Sequence, residues 1–296
     1  MQEIWQKGHE LIGKNEWGKL VESLKHKKLV HKKEDAKKIL RERLVKAVRS
    51  RIPAEKFGVF FSGGVDSSFI AAICKLVGAN FVCYTAGFQE GTKIPEDVVE
   101  AKKVAEKLGL KLQAKIYDLN EAEEVIKKTV NILKTRDKTD VVSVGVGAVV
   151  VAAAEMGLTQ GLKTFFSGLG SEEIFAGYER HDQAKDVNAE CWSGLKYMWE
   201  RDLLRDFTIA KELNLDVKTP FLDKDLVEYA MMLPGSWKIV KDEKKVILRE
   251  AAEEFLGQFA WRKKKAAQYG SCFDKAISKL AKKNGFQFKK EYLESL

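Results

Sequence analysis

The chain has 296 residues, 45% hydrophobic and 32% charged, which is the composition of an ordinary globular protein of one or two domains and excludes a disordered or fibrous chain. Its formal net charge is +9. The four cysteines form no Cys-x-x-Cys pair and the four histidines are scattered, so no metal site of that type is indicated. Residues 1–56 are charged throughout, unlike a secretory signal, and we therefore expect a cytoplasmic protein with reduced thiols.

Residues 1–56 are predicted to be a basic helical N-terminal extension, and residues 57–296 a domain. The extension holds 16 Lys and Arg against 8 Asp and Glu. Apolar residues such as Ile39, Leu40 and Leu44 recur at helical spacing until Pro53, so we expect helices over residues 3–50. Residues 262–296 are also basic, with 10 against 3. Basic ends are compatible with a polyanionic substrate or with RNA, although lysine-rich helix faces are more often simply solvated.

Beyond Pro53, short apolar runs alternate with helical patterns. We expect strands at residues 57–61, 80–85, 111–117 and 163–166, and helices at residues 67–77, 96–108 and 121–134. The helix at 96–108 is clearly delimited, because Pro95 opens it and Gly109 ends it. Regular alternation of strands and helices predicts an α/β fold with a doubly wound parallel sheet.

The longest apolar run, residues 141–154, is interrupted by Ser143, Gly145 and Gly147. We interpret it as a buried helix, whose opening could instead be a short strand. It is too short to cross a bilayer, which takes about 20 residues, so we expect no membrane association. From about residue 186 the pattern is helical, and we expect this part to pack against the carboxyl edge of the sheet, where open α/β folds bind ligands.

A glycine-rich loop, Ser62-Gly-Gly-Val-Asp-Ser-Ser68, lies between a predicted strand and a predicted helix. Gly63 and Gly64 let the backbone approach a phosphate group, and the helix N-terminus directs free N–H groups at it. Asp66 is unsuited to phosphate alone but suits Mg²⁺. The loop lacks the spacing of a Walker A motif, GxxxxGK[ST]. The hydroxyl donors of the loop are Ser62, Ser67 and Ser68.

This loop resembles the PP-loop of the ATP pyrophosphatases, which cleave ATP between the α and β phosphates. That superfamily includes GMP synthetases, NAD synthetases, tRNA thiolases and asparagine synthetases. The resemblance implies a sheet of the adenine nucleotide alpha hydrolase type, with ATP and Mg²⁺ as cofactors. The loop by itself does not choose among these enzymes.

Three further segments resemble the synthase domain of asparagine synthetases, in the order in which that family has them. The resemblance covers roughly residues 35–271. Two stretches, residues 177–181 and 265–271, are similar to the stand-alone asparagine synthetase domain-containing proteins. The three segments are Ser167-Gly-Leu-Gly-Ser-Glu-Glu-Ile-Phe-Ala-Gly-Tyr178, then Pro220-Phe-Leu-Asp223, then Lys245-Val-Ile-Leu-Arg-Glu250 followed by Trp261-Arg-Lys-Lys264.

The family pattern implies roles for individual residues. Asp66, Glu172 and Lys245 would be catalytic, with Lys245 gripping pyrophosphate and stabilising the charge of this leaving group. The implied Mg²⁺ ligands are Asp66, Asp97 and Glu172, although acidic residues also favour helix N-termini. Ala86 and Gly87 would pack the adenine, and Ser167 and Gly168 would surround the AMP moiety. The full implied ATP-binding set is Ser62, Gly63, Gly64, Asp66, Ser67, Ser68, Ala86, Gly87, Ser167, Gly168 and Lys245.

Two positions depart from the family pattern. Leu169 stands where asparagine synthetases have a glutamate at the acceptor site, and Gly145 stands where they have an arginine. The ATP half of the site is therefore kept while the acceptor half is altered. This difference puts aspartate as the acceptor in doubt.

The resemblance implies an AMP-forming ligase, in which ATP adenylates a small-molecule carboxylate and ammonia or another amine displaces AMP. One alternative is a PP-loop enzyme that modifies tRNA or another nucleotide, which the basic ends favour. Another is a nucleotide-binding subunit without activity, against which Asp66, Glu172 and Lys245 argue. Glutamine-dependent members begin with a nucleophilic cysteine at position two, where this chain has Gln2. We therefore expect nitrogen from ammonia, from another amine or from a separate glutaminase subunit.

Overall fold

The computed structural model describes residues 3–25, 29–89, 91–263 and 266–296. Gln2, Lys264 and Lys265, on which parts of the sequence interpretation depend, lie outside the described residues. A short antiparallel hairpin of β1 (Gln6–Lys7) and β2 (Glu10–Leu11) begins the described chain. Helices had been expected here, but Gly8 takes a φ of +63° that favours glycine and turns the chain back on itself.

A five-stranded sheet forms the centre of the molecule, and all of its pairings are parallel. Its strands are β3 (Phe57–Phe60), β4 (Phe81–Phe88), β5 (Leu112–Tyr117), β6 (Thr164–Phe166) and β7 (Asp216–Lys218). Their spatial order is β5-β4-β3-β6-β7. The chain thus winds outwards in one direction to β5 and then returns to the other side of β3, which confirms the predicted doubly wound α/β fold.

The helices precede, connect and follow these strands. A π-helical turn, Trp199–Leu203, leads into the tenth helix, and 3-10 turns lie at Pro220–Leu222 and Gly257–Trp261. The helices are α1 (Lys14–Ser23), α2 (Lys33–Arg49), α3 (Val65–Leu76), α4 (Glu96–Leu108), α5 (Leu119–Lys134), α6 (Val141–Leu158), α7 (Ser171–Ile174), α8 (Glu179–Asp182), α9 (Val187–Met198), α10 (Leu204–Glu212), α11 (Lys224–Met231), α12 (Gly235–Lys238), α13 (Val246–Leu256), α14 (Ala267–Gly270), α15 (Phe273–Lys283) and α16 (Lys289–Ser295).

Because the direction of winding reverses after β5, helices cover both faces of the sheet. Right-handed crossovers place α3 and α4 on one face and α5 and α6 on the other. Strand β3 shows the alternation that this requires: Phe57 and Val59 belong to the core on the α3 side, whereas Phe60 stacks on Phe165 with ring centroids 4.9 Å apart. The reversal point lies between β3 and β6, where open α/β sheets bind ligands at their carboxyl edge.

Two strand predictions need correction. Strand β4 extends to Phe88 rather than ending at residue 85, because β5 continues to pair with it as far as Tyr117. Strand β7 lies in the region that the sequence pattern indicates as helical throughout. Its three residues are too few to show a period of two, and they are extended because β6 pairs with them.

The apolar run is helical from its first residue, Val141, in helix α6. The Asp140 side chain caps this helix by accepting hydrogen bonds from the N–H groups of Val142 and Ser143. By length and hydropathy alone, α6 is long and apolar enough to cross a membrane, yet 56% of it is buried inside the molecule. It packs against β4, α5 and α15. Its glycines permit this close packing: a Cβ at Gly157 would lie 2.4 Å from the Phe165 ring. We interpret α6 as a core helix.

The N-terminal segment packs closely against the rest of the molecule. The indole N–H of Trp5 donates to Thr219 Oγ1 at 2.8 Å, and that of Trp17 donates to the Leu195 carbonyl at 2.9 Å. Arg51 forms ion pairs with Glu3 and Asp223, both at 2.9 Å. These contacts tie Trp17 to α9, and Trp5 and Arg51 to the residues on either side of the Pro220–Leu222 turn, and these segments share one hydrophobic core. The division at residue 56 stays a prediction.

Candidate functional site

The glycine-rich loop joins the carboxyl end of β3 to the N-terminus of α3. Gly63 takes a φ of +67°, and a Cβ there would lie 3.1 Å from backbone atoms of Ala101 in α4. The loop is closed internally: Ser67 Oγ donates to the Gly64 carbonyl at 3.3 Å and accepts from the Ser62 N–H at 3.3 Å. Glycine is therefore needed here for both conformation and space, and the first amides of α3 face the open edge of the sheet.

Ser68 differs from the other serines of the loop. It is fully buried, and its hydroxyl oxygen has no hydrogen-bond partner among the described residues. Its position inside the core does not favour direct contact with ATP. The ATP-binding role of Ser68 stays a prediction, and its geometry supports it less than that of Ser62 or Ser67.

Asp66, Glu172 and Lys245 meet at the N-terminus of α3. Lys245 Nζ donates to both Asp66 carboxylate oxygens, at 2.9 and 2.8 Å, and lies 2.8 Å from Glu172 Oε1. Ser171 Oγ donates to Asp66 Oδ1 and accepts from Lys245 Nζ at 2.9 Å. The structure thus brings together the three residues predicted to be catalytic, from segments far apart in the chain. Ser171 is an additional member that the sequence reasoning did not single out.

The electrostatics of this cluster favour a charged lysine. Burial opposes the charged form of Lys245, but the carboxylates of Asp66 and Glu172 outweigh burial and raise its pKa above the usual value. Lys245 is also held at a φ of +58°, a conformation that costs a residue with a side chain roughly 1–2 kcal/mol. Strain of this kind is concentrated at functional sites.

Three glycines shape the walls of the cluster. A Cβ at Gly168 would lie 3.0 Å from Asp66 Cβ, and a Cβ at Gly177 would lie 1.6 Å from Glu172 Oε2. Gly170 takes a φ of +96° where the chain turns into α7, and a Cβ there would lie 2.5 Å from Leu222. Any side chain at Gly177 would displace the Glu172 carboxylate from Lys245.

Glu173 anchors α7 from its other side. It is 1% exposed and accepts a hydrogen bond from Arg201 on the π-helical turn. Burial, together with repulsion from Asp202, raises the pKa of Glu173 to about 7 despite the Arg201 guanidinium. Glu172 and Glu173 thus differ in environment: the first faces the cluster and is 32% exposed at its side chain, whereas the second is enclosed.

Arg262 is the second functional candidate that the sequence reasoning did not assign. Its guanidinium donates to the Ser62 carbonyl at 2.9 Å and lies 3.3 Å from Asp97 Oδ1 and 3.6 Å from Glu100 Oε2. It therefore clamps the glycine-rich loop to the first turns of α4. The only sequence signal was its place in the Trp261–Lys264 motif.

The carboxylates of the cluster have the chemistry that Mg²⁺ requires. Asp66 and Glu172 supply hard oxygen donors around one lysine, so the three side chains together carry a charge of −1. Mg²⁺ in nucleotide sites is usually held by one or two carboxylates plus phosphate oxygens. These two residues fit that role. Asp97 instead contacts Arg262, and no group of three candidate ligands occurs within the described ranges. A metal role for Asp97 stays a prediction.

The residues assigned to the AMP half line the same edge of the sheet. Ala86 and Gly87 lie inside β4, paired with Lys115 and Ile116, rather than beyond its end. A Cβ at Gly87 would lie 2.8 Å from Pro95, so this strand end is closely covered. The Ser167 N–H, after β6, donates to the Lys218 carbonyl at 2.8 Å. The structure places these segments at the carboxyl edge, and their nucleotide contacts stay predictions.

The two departures on the acceptor side have different surroundings. Leu169 is partly buried against the core, and its N–H donates to Ser167 Oγ at 3.2 Å. Gly145 lies on α6 beneath Gln268, with its Cβ position 3.1 Å from Gln268 Cβ. A long side chain at Gly145 would require Gln268 to move. An apolar residue and an amide therefore lie at the two positions that the family pattern assigns to the acceptor, and that assignment stays a prediction.

A family model, Asparagine synthase, matches residues 39–190 and 181–287 of this chain. The "Putative asparagine synthetase (glutamine-hydrolyzing) 1" of Methanocaldococcus jannaschii is 32% identical over 89% of this chain and 55% of its own length. The asparagine synthetase (glutamine-hydrolyzing) of Gallus gallus is 28% identical over 88% of this chain and 47% of its own length. This chain thus spans about half the length of the curated relatives that it matches.

Among solved structures, the NMN synthetase from Francisella tularensis is 13% identical and covers 88% of this chain and 98% of its own chain, with a TM-score of 0.34. The NAD+ synthetase from Burkholderia pseudomallei is 11% identical and covers 93% of this chain and 98% of its own, with a TM-score of 0.32.

Proposed function

The chain belongs to the asparagine synthase family, and on that basis we propose that it is an ATP-dependent ligase that releases AMP and pyrophosphate. The observation that supports this proposal best is the meeting of Asp66, Glu172 and Lys245 at the N-terminus of α3. An acidic pair beside a buried cation, at the mouth of a glycine loop, suits a bound magnesium triphosphate.

In the proposed reaction, a carboxylate oxygen of the acceptor attacks the α-phosphorus of ATP, and the bond to the β-phosphate oxygen breaks. An uncharged amine then attacks the acyl carbon of the adenylate, AMP leaves as the carbonyl re-forms, and the proton lost by the nitrogen passes to solvent. Lys245 lies where it can neutralise the charge that grows on the departing pyrophosphate. The protein otherwise contributes positioning of the two reactants.

The phosphates would be held by the first amides of α3 and by the hydroxyl groups of Ser62 and Ser67. Mg²⁺, when bound, would shield phosphate charge, and Asp66 and Glu172 are the residues that would hold it. Ala86, Gly87, Ser167 and Gly168 would enclose the AMP half. Because Asp66 and Glu172 share Lys245, the lysine would turn towards the phosphates when the carboxylates take up the metal.

The nitrogen donor is proposed to be ammonia or another amine, supplied directly or by a separate glutaminase. This chain covers about half the length of its glutamine-hydrolysing relatives. We also propose a cytoplasmic location, with which the buried free thiols of Cys74, Cys83 and Cys191 agree. RNA as a partner of the basic ends stays a prediction that RNA co-purification, tested with ribonuclease, would decide.

The deciding experiment identifies the nucleotide products. The purified chain is incubated with Mg-ATP, ammonia and a pool of small carboxylic acids, and the nucleotides are separated by chromatography. We expect AMP and pyrophosphate in equal amounts. Lys245→Met should abolish their formation, whereas Lys238→Met should not, although Lys238 is also fully buried. ADP as the main product would overturn the proposal.

A further inference from the structure

Arg249, on the first turn of α13, binds three backbone carbonyl groups. It is 7% exposed, and its guanidinium donates to the oxygens of Lys244 at 2.8 Å, Ala260 at 2.6 Å and Arg262 at 3.0 Å. These three acceptors are neutral, so the contacts hold backbone in place rather than pair charges. A planar guanidinium with donors in fixed directions is suited to this, and a lysine ammonium is not.

One of these contacts holds the peptide unit that enters Lys245. Lys245 stands at a φ of +58°, which residues with side chains rarely adopt. Arg249 Nε binds the Lys244 carbonyl directly before it, and the Arg249 N–H donates to the Lys245 carbonyl at 2.9 Å. Arg249 therefore contacts the chain on both sides of the strained residue, whose ammonium reaches Asp66, Ser171 and Glu172.

The other contacts hold the segment that leads into Arg262. Arg249 Nη1 binds the carbonyls of Ala260 and Arg262, and the Arg262 guanidinium in turn binds the Ser62 carbonyl at 2.9 Å. One buried arginine thus connects Lys245 and Arg262, two basic residues that contact the glycine-rich loop. Lys245 approaches the loop from the Asp66 side, and Arg262 approaches it from the Ser62 side.

We propose that Arg249 is a positioning residue for the pyrophosphate half of the nucleotide site, acting through Lys245 and Arg262. This rests on the proposed function, because it takes the loop at residues 62–68 to bind the phosphates of ATP. Arg249 touches no group of the substrate itself. Without the Arg249 guanidinium, Lys245 could leave its left-handed conformation, and the contact of Arg262 with the Ser62 carbonyl would weaken.

The test compares Arg249→Lys with Arg51→Lys, and measures the dissociation constants of Mg-ATP and of AMP by calorimetry. Arg51 is an equally buried arginine with three contacts, to Glu3, to Asp223 and to the Ala47 carbonyl. Arg249→Lys should weaken Mg-ATP binding by about 10- to 100-fold, the worth of one or two charge-assisted hydrogen bonds. AMP binding should change by less than about twofold, as should both affinities in Arg51→Lys.

A double-mutant cycle shows whether Arg249 acts through Lys245. In a Lys245→Ala background, Arg249→Lys should reduce ATP affinity markedly less than it does in the unmodified chain, because both substitutions remove the same contact of Lys245 with the phosphates. Equal losses in both backgrounds would overturn the proposal. Arg249→Gln, which retains an amide donor without the charge, serves as a second variant if the lysine variant does not fold.

The outcomes separate the inference from the function on which it rests. If the unmodified chain binds no Mg-ATP, the proposed function fails. If the unmodified chain binds Mg-ATP and Arg249→Lys weakens ATP and AMP equally, or weakens neither, Arg249 is a structural residue and the inference alone fails. Selective loss of ATP affinity in Arg249→Lys, with both affinities retained in Arg51→Lys, supports the inference.

Discussion

Two clusters in this protein have the same composition: one buried cation between two carboxylates from distant parts of the chain. In one, Lys245 lies between Asp66 and Glu172; in the other, Arg51 lies between Glu3 and Asp223. The side chains of Arg51 and Glu3 are both 1% exposed, whereas Glu172 is 32% exposed. The first cluster opens to solvent and the second is closed at its centre.

If the first cluster is the nucleotide site, as we propose, this difference in exposure distinguishes a functional cluster from a structural one. Partners in the closed cluster cannot exchange, so its charges only fasten the N-terminal segment to the Pro220–Leu222 turn. In the open cluster, phosphate or metal can replace a carboxylate–lysine contact without first unfolding the surroundings. The open cluster also contains the strained Lys245 and a glycine, Gly177, where a side chain would have to displace the ends of Glu172 and Lys245. Exposure and strain, rather than charge pairing, mark the site.

The largest expected effect is on the closed cluster. Arg51→Met leaves Glu3 and Asp223 without their cation, and removing one partner of a buried pair typically costs about 3–5 kcal/mol of unfolding free energy. Denaturant titration measures that loss, and calorimetry at low denaturant should show unchanged affinity for Mg-ATP. A selective loss of ATP affinity in a folded Arg51→Met protein would erase the distinction between the two clusters.

Asp66→Asn tests the open cluster, where we expect ATP affinity rather than stability to change. The change removes one charge from the phosphate loop but keeps the shape, and Lys245 retains Glu172. We expect Mg-ATP affinity to fall by about 10- to 100-fold, corresponding to a lost charged contact, with little change in melting temperature. Asp223→Asn is the matched control, since it also leaves its cation with one carboxylate, Glu3, and it should not alter ATP affinity. Unchanged ATP affinity in Asp66→Asn would contradict the assignment of the loop.

His181 is a third case, a buried residue whose ring Nδ1 accepts a hydrogen bond from the Tyr178 N–H at 3.1 Å. Burial, and after it the nearby positive charges of Arg180, Lys238 and Arg201, lower the pKa of His181 to about 4. The folded state therefore resists protonation that the unfolded state accepts below about pH 6.5. Stability should fall as pH drops from 6.5 towards 4, by roughly 1–2 kcal/mol at pH 5.

Measurement of unfolding free energy against pH checks this expectation. His181→Gln removes the titrating group, so its stability should depend less on pH over that window than the stability of the unmodified chain. Identical pH profiles for the two proteins would show that other groups dominate. The unmodified chain and His181→Gln should bind ATP with the same affinity at neutral pH, because His181 lies outside the open cluster.

The smallest expected effect concerns the acceptor side of the open cluster. Leu169 accepts no proton and orients no amine, so asparagine formation from aspartate, ATP and ammonia should be slow in the unmodified chain. Leu169→Glu should leave Mg-ATP binding intact and raise asparagine formation by about tenfold, a modest part of what a positioned base supplies. Leu169→Gln is the control without a proton acceptor. Rapid asparagine formation by the unmodified chain would show that Leu169 does not limit the reaction.

Local signals in the sequence were sufficient for most of the α/β region. Helix α4 has the predicted bounds, because Pro95 opens it and Gly109 takes the left-handed conformation that ends it. The glycine-rich loop was predictable for the same reason, since only glycine fits the conformation of Gly63 against Ala101. The closed cluster left no comparable signal: Glu3, Arg51 and Asp223 are ordinary charged residues in the sequence.

The alternation of strands and helices, the phosphate-type loop and the family motifs could be predicted from the sequence, because these features depend on neighbours within a few residues. Long-range packing was needed to show that β7 is a strand, that Asp97 contacts Arg262, and that Arg249 joins Lys245 to Arg262. Lys245 and Asp66 are separated by 179 positions. Such contacts are set by how the elements pack around the reversal point of the sheet, and no local propensity encodes them.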